Sequence, residues 1–140
     1  MEYSITSLTN VADCEVLLSM AAREKADLDF KKLSDERLTV RYAETSQEVN
    51  ADLQGVITEI AAQETIISVL PEGQAKDEAI NKKIRLEYKK FLLETRKASF
   101  GTVALLEKEM DLGRVNREIG EVDAFIDAVK AQKELLQQSA

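Results

Sequence analysis

Residues 70–73 read Leu70-Pro71-Glu72-Gly73, and they fall at the midpoint of a 140-residue chain. Proline lacks the amide hydrogen a helix interior needs, and glycine accepts dihedrals that other residues avoid, so this tetrapeptide reads as a turn. Outward from it, both sides are helix-forming. On the N-terminal side, Thr9 and Asn10 are good N-caps, with Asp13 three residues after Asn10. Between them and Pro71 lie about 60 residues with no proline and one glycine, Gly55. On the C-terminal side, a second helical stretch begins near Gln74. The spacing therefore predicts one helical domain over 1–140, with a helix over about 9–70, a turn at 71–73 and a helix over about 74–137. Each helix would be roughly 90–95 Å long at ~1.5 Å rise per residue.

A seven-residue repeat runs through both halves. In the first, the 3-4 series includes Cys14, Leu18, Ala21, Leu28, Tyr42, Ser46, Val49, Leu53, Val56, Ile60, Gln63 and Ile67. In the second it includes Ile80, Ile84, Glu87, Phe91, Glu94, Ala98, Gly101, Leu105, Leu112, Val115, Ile119, Val122, Ile126 and Val129. A 3.5-residue period held this long marks a left-handed coiled-coil seam. Folding the chain at Gly73 pairs seam residues whose numbers sum to 147, such as Leu28 with Ile119, Val56 with Phe91 and Ile67 with Ile80. Two layers lack a large apolar residue, Thr39 with Lys108 and Ser46 with Gly101, and they form a weak zone. Flanking charges complement one another in this pairing: Asp52 with Lys97, Glu59 with Lys90, Lys31 with Glu118 and Glu15 with Lys130. The expected fold is all-α, a long antiparallel helical hairpin.

A two-helix seam leaves apolar residues over. Leu86, Leu92, Leu93, Phe100, Val103, Leu106 and Met110 lie opposite or beside the second seam, and Phe30, Leu33 and Val40 do the same on the first helix. Such a face invites further helices. A second copy would supply them, giving a dimeric four-helix bundle. The alternative is a compact intramolecular four-helix bundle, with breaks near Ser34, which resembles an N-cap, and Gly113, which resembles a helix C-terminus. The general plan resembles the antiparallel helical hairpins of cytoplasmic adaptors and export-associated coiled-coil proteins. That resemblance is one of architecture and carries over no site residues.

Composition excludes most catalytic chemistry. There is no His, so neither a Ser-His-Asp triad nor an imidazole metal site can be built. One cysteine, Cys14, permits no disulfide framework and reads as a small core residue. Gly101, Gly113 and Gly120 fit no phosphate-cradling loop. Carboxylate pairs such as Glu107/Asp111 and Asp123/Asp127 share a helix face, as solvated helices commonly do. The reading is of a protein that is not an enzyme and needs no cofactor or metal.

Charge is unevenly shared. Residues 1–70 carry 13 acids and 6 bases, and residues 71–140 carry 13 of each, which places the whole net charge of -7 in the first half. The basic stretch Lys82–Lys97 has the sign a phosphate backbone requires. It faces an acidic stretch of the same chain, however, and the net charge opposes nucleic-acid binding. No apolar run approaches the ~20 residues of a membrane span, and Met1–Asn10 lacks a basic start and an apolar core. A cytoplasmic, non-catalytic, structural or protein-interaction coiled-coil protein is expected. It would act by self-association, or as a chaperone or adaptor for a client protein's helix.

Overall fold

The computed structural model describes residues 1–139. It is all-α: α1 spans Val11–Val69, α2 spans Gln74–Phe100 and α3 spans Thr102–Gln138, preceded by one 3-10 turn at Ile5–Ser7. Asn10 caps α1. Its Oδ1 accepts from the Asp13 backbone N–H at 2.8 Å, and its Nδ2 donates to the Asp13 carboxylate at 2.8 Å. The cap satisfies one of the amides a helix start leaves unpaired. At the other end, Gly73 has φ 153°, a conformation that side chains with a Cβ resist. Pro71 and Gly73 thus end α1 and start α2 within four residues.

The chain divides into two compact units, Met1–Arg37 with Glu109–Ala140, and Leu38–Lys108. In the first, α1 packs antiparallel on α3. Cys14, Ala21 and Leu28 are buried from one side, and Val115 and Val129 from the other. Ion pairs Glu15–Lys133 (3.4 Å) and Lys25–Asp123 (2.6 Å) flank them. The N-terminal segment also docks here. The Tyr3 ring meets Phe125 edge-on at 5.1 Å, its hydroxyl donates to Glu121, and Gln132 donates to the Leu8 carbonyl at 2.9 Å. In the second unit, α1 packs antiparallel on α2. Leu53, Val56, Leu86 and Leu93 form its core, with Ile60 against them.

One alternative falls, and one expectation needs correction. Neither Ser34 nor Gly113 breaks a helix, because α1 and α3 run through them. The second helical stretch is instead divided at Gly101, whose backbone is extended at φ -83°, ψ -166°. Its carbonyl accepts the first bond of α3, from Leu105 N–H at 3.0 Å. A Cβ on Gly101 would lie 2.3 Å from the Lys97 carbonyl oxygen, so this conformation admits glycine alone. Ser46, its expected layer partner, is buried, as is Gly101.

The expected charge pairs also shift. Lys133, not Lys130, meets Glu15, and Lys90 meets Glu94 on its own helix at 3.8 Å. Across α1 and α2 the ion pair is Glu64–Lys83 at 3.3 Å, whose numbers sum to 147. Direction and register follow the mirror about Gly73, while the individual partners depend on local rotation.

Candidate protein-interaction face

The break at Gly101 changes which residues α2 buries. On α3 the inward series is Leu105, Leu112, Val115, Ile119, Val122, Ile126 and Val129, all buried or half-buried. This is the series expected from the heptad. On α2 the inward residues are Ala79, Leu86 and Leu93, with Lys76, Lys83 and Lys90 half-buried between them. That series lies one residue before the expected one. An extended residue contributes one position to the sequence and none to the helical repeat, so the seam phase slips by one across Gly101.

The slip exchanges two apolar stripes. Leu86 and Leu93, expected on an outer face, are each 9% exposed and belong to the core. Phe100 is half-buried, its ring 5.4 Å from that of Tyr42. These three are therefore not free surface. Ile80, Ile84 and Phe91, expected in the seam, face outward, with Ile84 57% and Phe91 60% exposed. Of the other residues expected on the face, Leu92, Val103, Leu106 and Val40 are exposed in the second unit. Phe30, Leu33 and Met110 are exposed in the first. They form no single stripe on one element.

Ile80, Ile84 and Phe91 recur at helical spacing, so they share one side of α2. Ile57 of α1 continues this face. The Glu64–Lys83 pair fixes the local register, and one heptad further along it brings Ile57 beside Lys90, the neighbour of Phe91. Ile57 is itself exposed. Two carboxylates sit within the stripe, Glu87 and Glu94, and each is drawn to a lysine one turn back: Lys83–Glu87 at 3.7 Å and Lys90–Glu94 at 3.8 Å. These pairs lower the charge that burying the stripe would carry.

The first unit holds a different kind of surface. Tyr3, Met20, Ala21, Val122 and Phe125 line a small, open apolar groove of about 170 Å³, to which the N-terminal segment contributes Tyr3. The Tyr3–Glu121 hydrogen bond holds the phenol above its ordinary pKa, and the Asp123 carboxylate holds the Lys25 ammonium above its own. Asp123 is thus engaged by a cation. Among the described residues no group of three metal-ligating side chains comes together, and no helix is long and apolar enough to cross a membrane.

Compared with known proteins, the chain matches no family model, and no curated protein or solved structure shows significant similarity to it.

Proposed function

We propose that this is a non-catalytic protein-interaction module that works by presenting the Ile80/Ile84/Phe91 stripe of α2 to another helix. One observation carries this reading. α2 has two adjacent apolar stripes, α1 covers one, and nothing else among the described residues covers the second. A contiguous apolar stripe left exposed on a helix marks a surface suited to packing against another element. The function is then mechanical: α1 holds α2 rigid, and α2 offers a preformed surface in the helix-in-groove mode.

The test is a photo-crosslinking amino acid placed at position 91, and separately at position 89, in chain expressed in its source cells. Protein adducts are expected at 91 and not at 89. Equal capture at both positions, or none at 91, would refute this use of the stripe.

A further inference from the structure

α2 carries two seams of nearly equal apolar quality. In the structure it turns Leu86, Leu93 and Phe100 toward α1. Turned by one residue, about 100° about its own axis, it would set Ile80, Ile84 and Phe91 against the same helix. Each set holds two branched aliphatics and one phenylalanine, so the apolar burial given up in one position is returned in the other. Val56 serves both: it packs in the core with Leu86 and Leu93, and the mirror about Gly73 sets it against Phe91. The joints at the two ends of α2 permit the turn. Gly73 has a positive φ and open space around it. Gly101 is extended, in a conformation where a Cβ would strike the Lys97 carbonyl, and glycine also enters a helix at modest cost. It is the residue type free to take both conformations.

Charge sets the balance between the positions. From Tyr42 to its end, α1 carries five acids and no base. Three of them, Asp52, Glu59 and Glu64, adjoin the seam residues Leu53, Ile60 and Gln63. In the observed position Lys76, Lys83 and Lys90 are half-buried, and Lys83 pairs with Glu64 at 3.3 Å. In the other position these lysines turn away. Glu87 then comes opposite Ile60, beside Glu59, and Glu94 comes opposite Leu53, beside Asp52. Like charges meet across the seam, which disfavours that position. We infer that α2 is a two-position element, turning about its own axis between Gly73 and Gly101. The α1 carboxylates hold it in the observed position, and the second position hides the Ile80/Ile84/Phe91 stripe against α1. The turn stands on packing and charge within this unit; its use to switch binding on and off rests on the interaction reading above.

The experiment reads thiol alkylation rates of L86C, I84C and V56C in the full chain, each with and without E87Q and E94Q together. Cys14 is fully buried and adds little background. The glutamines keep the side-chain size and remove the repulsion. L86C is expected to label about three- to tenfold faster in the E87Q/E94Q background, the change that relief of two exposed charge contacts gives. I84C is expected to label more slowly there, and V56C, which faces α2 in both positions, at an unchanged rate. Opposite changes at 84 and 86 are the signature of a turn. Unchanged rates at both positions, or a rise at 84, 86 and 56 together, as unfolding would produce, overturn it. If a crosslinker at position 91 captures no protein while 84 and 86 still change oppositely, the turn stands and the interaction reading falls.

Discussion

Neighbouring leucines at 92 and 93 have opposite environments. Leu93 lies in the core with Leu53 and Val56, and Leu92 is about half exposed. Truncating Leu93 to Ala removes buried methyls and leaves a cavity, so L93A is expected to lose about 2–4 kcal/mol of unfolding free energy. L92A should change it by less than about 1 kcal/mol. Urea denaturation of the pair reads the phase of α2 directly, since the continuous heptad would bury neither. A second residue-scale expectation concerns pH. Lys25 gains Asp123 on folding, and its pKa is raised above the ordinary lysine value. Tyr3 is raised in the same direction by donating to Glu121. A group whose folded pKa is raised contributes stability that is fully present below its unfolded value and is lost as pH rises through the folded one. Stability should therefore be steady through neutral pH with respect to these two groups and fall above about pH 10. D123N, followed by thermal melts from pH 8 to 11.5, should reduce that alkaline loss. An unchanged alkaline slope would contradict the role given to Lys25.

At the scale of elements, Gly101 decides which side of α2 faces α1. Alanine fits there only if the Lys97 carbonyl moves away, as it would if α2 and α3 joined into one helix. Joining them restores the continuous heptad and turns α2 by about one residue, roughly 100°. G101A is therefore expected to bury Ile84 and Phe91 and to expose Leu86. Thiol alkylation should then be faster for L86C and slower for I84C in the G101A background than in chain retaining Gly101. Unchanged rates would show that Gly101 does not control the phase. The same residue explains what was legible in the sequence. Pro71 and Gly73 placed the turn, because each has a backbone property that helices exclude. The 3-4 spacing of Cys14, Ala21, Leu28, Val49, Leu53 and Val56 located the α1 seam, and that of Val115 and Val129 located the α3 seam. The α2 seam was not legible. Ala79/Leu86/Leu93 and Ile80/Ile84/Phe91 are both heptad series with comparable apolar content, and only the extended backbone at Gly101 shows which of them meets α1. The docking of Tyr3 was hidden for another reason. Its partners Glu121 and Phe125 lie more than a hundred residues away, and no local pattern announces such a contact.

At the scale of the molecule, the chain commits nearly all its residues to helices and leaves one helix apolar on two sides. In the reading proposed above, the second side is where the protein acts: a stripe of isoleucines and Phe91 whose own carboxylates, Glu87 and Glu94, are paired with lysines. Self-association through this stripe, the form of the proposal in which the partner is a second copy, would make the mass depend on concentration and on Phe91. Sedimentation equilibrium of the wild-type chain beside F91E, with helicity followed by circular dichroism, tests it most directly. Wild type is expected to approach twice the 15.7 kDa chain mass as concentration rises, with F91E remaining at 15.7 kDa and equally helical. A wild-type mass of 15.7 kDa at every concentration, or an F91E dimer as tight as wild type, would contradict it.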